Sequence, residues 1–199
     1  MSSTLNPTVI VLACGLGRRF RASLHEAGVL EGEDNGWGNK LHARLGQRRV
    51  LDWTVDAAQS SGYPVYVHEG QAHEGMGDSI AAAVRHTHDA QGWLVLPGDL
   101  PLILPDTIAL VAQALNQHPI VVPQWLGNRA HPVGFSPVCA QALQSVSGEA
   151  GAASVVKGMG AWLMDVDDPG VARDVDTWAD LQHVRSHIVH ETQTLKKKS

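Results

Sequence analysis

Short apolar runs alternate along the chain with longer stretches whose apolar residues recur at helical spacing. Runs of this length are typical of strands that are buried on both faces of a sheet. They predict strands at residues 8–12, 65–68, 93–96, 120–123 and 162–166. Helices are predicted at residues 50–58, from 80 to about 88, after a cap at Asp106 and Thr107, near 137–146 and 150–159, and from 178 to about 189 after a cap at Thr177.

Strands that alternate with helices predict an α/β fold with a mostly parallel sheet and right-handed crossovers. Ligands of such sheets bind beyond the carboxyl ends of the strands, so residues that directly follow a strand are the first candidates for chemistry. Residues 75–79 open the second of these helices, where Asp78 or Ser79 can serve as the cap. The residues between 127 and 135 are expected to be irregular and then extended.

The first strand ends in small residues that two arginines follow at once: Ala13, Cys14, Gly15, Gly17, Arg18 and Arg19. Such a turn lets backbone N–H groups approach an anion, and the arginines add charge, which suggests a triphosphate-binding loop. An ordinary strand with a glycine-rich turn explains the same residues equally well. The spacing is not that of a Walker loop, and no helix obviously follows. Residues 20–39 show no period and predict a loop, either a functional lid or plain disorder.

Other candidates follow later strands. Asp99 comes directly after the third strand, between Gly98 and Pro101, where a Mg²⁺ ligand would be needed, although a turn aspartate fits too. Asp176 precedes the last helix and is either a second metal ligand or a cap. Lys40 comes after Gly38, at the end of the predicted loop. Its side chain either reaches the phosphates that the first turn would bind or lies on the surface. His131, before Pro132, is a candidate for ligand contact.

Composition narrows the class of protein. A net charge of −5 implies no general nucleic-acid surface, and the basic run at residues 196–198 suggests a solvated tail. The two cysteines make neither a disulfide framework nor a thiolate metal site, the eleven histidines lack zinc spacing, and no G-x-S-x-G elbow is present. The first apolar run is too short for a membrane span. We therefore expect a cytoplasmic protein with one domain at residues 1–190 and a disordered tail at 191–199.

Six motifs occur in a characteristic order, at residues 12–19, 38–40, 75–79, 98–101, 129–133 and 174–177. Together they resemble the molybdenum cofactor nucleotidyltransferases, which carry a MobA-like NTP transferase domain, and most closely the cytidylyltransferase branch. The resemblance runs from about residue 9 to 181. It implies the nucleotide-diphospho-sugar transferase fold, a Rossmann-like three-layer α/β/α sandwich. It also implies that a phosphate of molybdenum-bound molybdopterin attacks the α-phosphorus of CTP, or of another NTP, and releases pyrophosphate.

The resemblance assigns a role to each motif. Leu12, Ala13, Cys14, Gly15 and Gly17 would wrap the nucleotide, and Gly75, Asp78 and Ser79 would lie near its base or ribose. Arg18, Arg19 and Lys40 would neutralise the triphosphate, and Asp99 with Asp176 would hold Mg²⁺. The residues that would face the acceptor are Arg129, His131 and Pro132. An apo-molybdoenzyme of the xanthine dehydrogenase type is implied as a protein partner.

The chain departs from the family's pattern at the spacer of residues 20–39, at Cys14, at Asp78 within a motif that is usually serine-rich, and at Ala130, where a glycine is expected. Two further hypotheses follow. Asp78 and Ala130 suggest a nucleotidyltransferase that acts on a sugar phosphate or an alcohol phosphate. The long spacer, which contains Trp37, suggests a non-catalytic chaperone that passes the cofactor to an apo-oxidoreductase.

Overall fold

A computed structural model describes residues 4–15, 17–30, 32, 39–70 and 75–196, with side chains up to residue 188. The strands are β1 (Thr8–Leu12), β2 (Arg44–Leu45), β3 (Arg48–Arg49), β4 (Val65–His68), β5 (Trp93–Pro97), β6 (Ile120–Trp125), β7 (Asn128–Arg129), β8 (Val133–Phe135) and β9 (Trp162–Asp165). The α-helices are α1 (Arg18–Glu26), α2 (Val50–Ser60), α3 (Met76–His86), α4 (Pro105–Ala114), α5 (Ala140–Gln144), α6 (Ala153–Met159) and α7 (Trp178–Lys196). All five predicted strands are confirmed within a residue or two at their ends.

The main sheet has the strand order β4-β1-β5-β8-β6-β7, and β9 also pairs with β6. Strand β1 lies parallel to both β4 and β5, and β6 lies parallel to β9. Strand β8 runs antiparallel between β5 and β6, and β7 closes a hairpin on β6. The expectation of an α/β fold with a mostly parallel sheet is therefore confirmed, with β7 and β8 as the antiparallel exceptions. The pair β2 and β3 forms a separate two-stranded ribbon.

Alternate residues of the central strands point to opposite faces of the sheet, so each face carries its own apolar core. On one face, Val9 and Val11 pack in a cluster with α2 and α4. On the other face, Ile10 and Leu12 pack in a cluster with α3, α5 and α6. Helices on both sides of one sheet make a three-layer architecture, as the resemblance implied.

A third apolar cluster joins α1 to α7 and to the β2–β3 ribbon. Phe20 and Leu24 of α1 pack there with Leu181 and Val184 of α7, and all four are almost fully buried. Ser23 strengthens the junction, since its Oγ accepts a hydrogen bond of 2.8 Å from the backbone N–H of Trp178. The cluster therefore brings the residues at the start of α1 to those at the start of α7.

Several boundaries differ from the sequence-based predictions, among them those of three helices. Helix α1 occupies part of the stretch that is expected to be a loop. Its sequence gives little sign of a helix, because only Phe20 and Leu24 mark a buried face. The helix is stabilised instead by packing on α7. Helix α3 begins at Met76 rather than near residue 80, so Ser79 lies inside the helix and is not its cap. Helix α7 continues to Lys196, past the predicted end near residue 189.

The cap of α4 was also predicted wrongly. The helix begins at Pro105 after Leu104, and Asp106 lies in its first turn. The backbone N–H of Leu104 is satisfied instead by the carboxylate of Asp168, at 3.0 Å. Residues 31 and 33–38 of the predicted loop and 197–199 of the predicted tail lie outside the described residues. Within the described part, none of the helices combines the length and the apolar character that a membrane span requires.

Candidate active site

The loop after β1 has the backbone geometry that an anion-binding turn requires. Gly15 and Gly17 adopt φ values of 129° and 55°, which side-chain-bearing residues rarely reach. Helix α1 starts directly after Gly17, and no described side chain caps it. The first N–H groups of a helix have no acceptor within the helix, so this end can donate to an anion. The predicted nucleotide residues Leu12, Ala13 and Cys14 lead into the same loop.

Lys40 lies against this loop although a long segment separates the two in sequence. A Cβ atom built on Gly17 would lie 3.6 Å from the backbone nitrogen of Lys40. Lys40 opens a short 3-10 turn, Lys40–His42, that Asn39 caps by accepting a 3.0 Å hydrogen bond from the N–H of Leu41. Its backbone therefore borders the glycine loop.

Two carboxylates share the ammonium group of Lys40. Its Nζ lies 2.6 Å from Oδ2 of Asp99 and 2.5 Å from Oδ1 of Asp176. The other oxygen of Asp176 forms an ion pair of 2.6 Å with Arg19 at the start of α1. Four of the predicted catalytic and metal residues thus form one connected ion-pair network. Arg18, the remaining one, is exposed at the first position of α1.

Backbone hydrogen bonds hold Asp99 at the end of β5. The neighbouring Gly98 donates to the carbonyl of Leu12 at 3.0 Å and accepts from the buried hydroxyl of Thr54 at 3.0 Å. A side chain at Gly98 would press on Leu51 and on the carbonyl of Leu12, so glycine permits this close approach of β1 and β5. The carboxylate that follows β5 is consequently held beside the loop that follows β1.

Asp176 reaches the same place through the segment before α7. The N–H of Val175 donates to the carbonyl of Asp99 at 2.9 Å, which ties this segment to the end of β5. The carboxylate of Asp180 caps α7 by accepting from the N–H groups of Asp176 and Thr177, at 3.2 and 2.7 Å. Because Asp180 and Thr177 supply the cap of α7, the carboxylate of Asp176 is available to pair with Lys40 and Arg19.

Burial and charge act together on the titrating groups here. Burial alone would lower the pKa of Lys40, but Asp99 and Asp176 outweigh it and raise that pKa above its usual value. The ammonium therefore stays charged. Burial, together with the charge of Asp176, raises the pKa of the neighbouring Asp174 carboxyl. Asp174 and Asp176 line an open pocket of about 230 Å³ that extends to His183.

The two central carboxylates fit a hard divalent cation. They already converge on one positive charge, and Oδ1 of Asp99 is buried without a hydrogen-bond partner among the described residues. Magnesium is commonly held by one or two carboxylates with phosphate oxygens and water completing its shell. In the described part of the chain, no group of three or more His, Cys, Asp and Glu side chains could hold a metal, so a cation here would depend on such outside ligands.

The motif at residues 75–79 forms the start of α3, and its aspartate is engaged with backbone. Oδ2 of Asp78 accepts from the N–H groups of Gly75, at 3.2 Å, and Gly148, at 3.0 Å. A side chain at Gly75 would collide with the backbone of Gly148. Asp78 and Gly75 therefore fasten α3 to a neighbouring turn, while their predicted contact with the nucleotide stays a prediction.

Ser79 is different, because its hydroxyl is fully buried and has no hydrogen-bond partner among the described residues. A Cβ atom built on Gly70 would lie 3.4 Å from this hydroxyl and 2.6 Å from the Cβ of Cys14. Ser79, Gly70 and Cys14 thus lie together beside the loop that follows β1. Gly70 was missed from sequence, where only its position just after a strand could have marked it.

The predicted acceptor residues divide into two groups. His131 and Pro132 are joined by a cis peptide bond, and Nδ1 of His131 is buried without a partner among the described residues. Burial lowers the pKa of His131, and the nearby Asp99 and a hydrogen bond with the backbone of Val95 offset this only in part. His131 therefore lies close enough to Asp99 for the two side chains to interact electrostatically. Arg129 is exposed on β7, opposite Gln124 in the hairpin.

Comparisons with known proteins identify the family of the chain. Residues 59–163, more than half of the chain, match the family model described as the MobA-like NTP transferase domain. A curated relative, the purine catabolism protein PucB of Bacillus subtilis, is 31% identical over 155 residues, which are 74% of this chain and 67% of PucB.

Solved structures show the same fold at lower identity. A nucleotidyl transferase from Methanothermobacter has a TM-score of 0.75 at 17% identity and covers 95% of this chain and 100% of its own. The manganese complex of Rv0371c from Mycobacterium tuberculosis has a TM-score of 0.66 at 20% identity and covers 92% of this chain and 100% of its own. The molybdopterin-guanine dinucleotide biosynthesis protein A of Archaeoglobus fulgidus has a TM-score of 0.60 at 15% identity and covers 92% of this chain and 99% of its own. With the family model matched over most of the sheet, the chain belongs to the family of MobA-like NTP transferase domains.

Proposed function

We propose that this protein transfers CMP from CTP to the phosphate of molybdenum-bound molybdopterin and releases pyrophosphate. The observation that carries the proposal is the network of Arg19, Lys40, Asp99 and Asp176 beside the glycine loop. Cations, paired carboxylates and open helix N–H groups are what a triphosphate and its divalent ion require. The relation to a molybdopterin-guanine dinucleotide biosynthesis protein supports a molybdopterin acceptor.

In the proposed reaction an oxygen of the acceptor's phosphate forms a bond to the α-phosphorus of the triphosphate. The bond from that phosphorus to the oxygen bridging the β-phosphate breaks, and pyrophosphate leaves with its charge. Such transfer depends on positioning and charge stabilisation rather than on a covalent protein nucleophile. The family's chemistry is therefore compatible with a site that consists of fixed charges.

Each part of the site has a task in this scheme. The N–H groups after Gly17 bind phosphate oxygens, and Arg18, Arg19 and Lys40 neutralise the charge that grows on the leaving pyrophosphate. Asp99 and Asp176 would hold Mg²⁺, which supplies further charge stabilisation at the phosphate oxygens when bound. Rv0371c, which has the same fold, was solved as a complex with manganese, and this supports a role for a divalent ion. His131 and Arg129 would orient the acceptor.

Pyrophosphate release tests the proposal. Purified protein is incubated with Mg²⁺, one of the four common ribonucleoside triphosphates, and either molybdenum-bound molybdopterin or a sugar phosphate. We expect release with CTP and molybdopterin only. Release with another base or with a sugar phosphate would overturn the proposed substrates but not the transferase class. No release under any condition, together with stable binding to a xanthine-dehydrogenase-type apoenzyme, would overturn the activity in favour of a chaperone.

A further inference from the structure

Lys40 occupies the position between the two carboxylates that would have to receive a divalent cation. Its Nζ contacts Oδ2 of Asp99 and Oδ1 of Asp176 at ion-pair distance, and only 17% of its side chain is exposed. By contrast, Arg19 pairs with Oδ2 of Asp176 and with neither oxygen of Asp99 among the described contacts, and its side chain is 81% exposed. Lys40 is therefore the cation that joins the two carboxylates.

Two cations cannot share these oxygens without cost. Like charges a few ångströms apart repel, and partial burial increases the repulsion because little water screens it. A metal ion that binds both Asp99 and Asp176 thus replaces the ammonium at one or both of its contacts. The ammonium in turn stabilises the pair when no metal is bound, because it offsets the repulsion between two carboxylates.

The position of the Lys40 backbone shows where the released side chain can go. Its nitrogen borders Gly17, at the start of α1, so the residue lies between the glycine loop and the carboxylates. A lysine side chain is a point charge on a flexible stem with four carbons, which can change partners without moving the backbone. An ammonium that leaves the carboxylates therefore has the phosphate side of the loop within reach.

We propose that Lys40 is a displaceable internal cation, which neutralises Asp99 and Asp176 until a divalent ion takes its place and which then turns to the triphosphate. The second half of this statement rests on the proposed function, and the first half does not. The exchange couples binding of the metal to binding of the nucleotide. The metal that the triphosphate needs also releases the lysine that then binds the triphosphate. Lys40 consequently opposes binding of the metal alone and favours binding of the nucleotide.

Mn²⁺ binding without nucleotide tests the exchange directly, with the free ion measured by electron paramagnetic resonance. In Lys40→Met the side chain keeps its length but loses its charge, and we expect Mn²⁺ to bind about tenfold more tightly or better than in the wild type. Lys157→Met, on the exposed face of α6, is the matched control and should leave the affinity unchanged. Equal or weaker Mn²⁺ binding in Lys40→Met, with the variant shown to be folded by circular dichroism, would overturn the proposal.

A measurement on the wild-type protein covers the case in which Lys40→Met does not fold. Lysines are acetylated briefly with an amine-reactive ester, with and without Mn²⁺, and each site is quantified by mass spectrometry. An amine that leaves two carboxylates becomes more accessible, so acetylation of Lys40 should rise severalfold with Mn²⁺ while that of Lys157 stays constant. Unchanged or reduced acetylation of Lys40 at saturating Mn²⁺ would contradict the exchange. Neither readout requires turnover. The exchange can therefore be confirmed in a protein that lacks the proposed transferase activity, and it can be contradicted in a protein that has this activity.

Discussion

Two buried hydroxyl groups near the site have opposite environments. The hydroxyl of Thr54 donates to the carbonyl of Gly98, whereas that of Ser79 has no partner among the described residues. A buried polar group without a hydrogen bond lowers the stability of the fold. Such a group is therefore retained where it has a function, for example a contact with a ligand. Ser79 lies beside Cys14 and Gly70, on the side of the loop where the nucleotide is proposed to bind.

Replacing these hydroxyls one at a time separates a structural role from a binding role. Ser79→Ala should leave the free energy of unfolding unchanged or slightly higher, since it removes an unsatisfied group, yet it should weaken triphosphate binding severalfold. Thr54→Val should instead lower the free energy of unfolding by about 1–2 kcal/mol, because the carbonyl of Gly98 loses its partner. Urea denaturation and nucleotide titration measure the two effects. A Ser79→Ala protein that is clearly destabilised but binds nucleotide normally would contradict this assignment.

At the scale of elements, the start of α2 depends on one charged group. The carboxylate of Asp52 accepts from the backbone N–H of Arg49 at 2.9 Å and pairs with the Arg49 guanidinium at 2.7 Å. These contacts hold the pKa of the Asp52 carboxyl below its usual value of 3.8, with the Arg49 side chain as the largest cause. A carboxylate at the first turn of a helix also interacts favourably with the helix dipole.

The lowered pKa predicts how stability depends on pH. A carboxyl whose pKa is lower in the folded than in the unfolded state stabilises the fold fully above the unfolded pKa, and this contribution is lost as pH falls through the folded pKa. Asp52→Asn should therefore lower the free energy of unfolding by about 0.5–1 kcal/mol at pH 7, a modest amount because water screens this surface pair. The difference from wild type should shrink below about pH 3.8.

Urea denaturation of both proteins between pH 7 and pH 3 checks this. Asp56→Asn is the control, because Asp56 lies on the same helix with a more exposed side chain and a longer 3.3 Å ion pair. Its effect should be close to zero throughout. If the loss in Asp52→Asn grew as the pH fell, the sign of the shift would be wrong.

The central strands of the sheet could be predicted from sequence, whereas the helix that carries the arginines could not. Strands β1 and β5 are unbroken apolar runs, so their period and length identify them. Helix α1 has two buried positions and, among the described residues, no side-chain cap, and its start is set by Gly17 in a left-handed conformation. Nothing local marks such a helix, because its stability comes from contacts with α7 far along the chain.

At the scale of the whole molecule, the site is assembled from four separate segments. The rule that ligands bind beyond the strand ends selected Asp99 and the glycine loop, since both directly follow strands of the central sheet. It could not show that Asp176 approaches Asp99, which depends on the hydrogen bond from Val175. Nor could it show that Lys40 contacts both carboxylates, since that contact depends on how residues 39–42 return to Gly17.

The rate of pyrophosphate release by Asp99→Asn and Asp176→Asn tests most directly whether this network performs the transfer. Asp89→Asn is the matched control, because Asp89 precedes β5 whereas Asp99 follows it, and its side chain is 94% exposed. With saturating triphosphate and acceptor, we predict a loss of about 100-fold or more for Asp99→Asn and Asp176→Asn, since each removes a charge that acts on the phosphates, and no more than about twofold for the control. A rate for Asp99→Asn equal to that of Asp89→Asn would contradict the account.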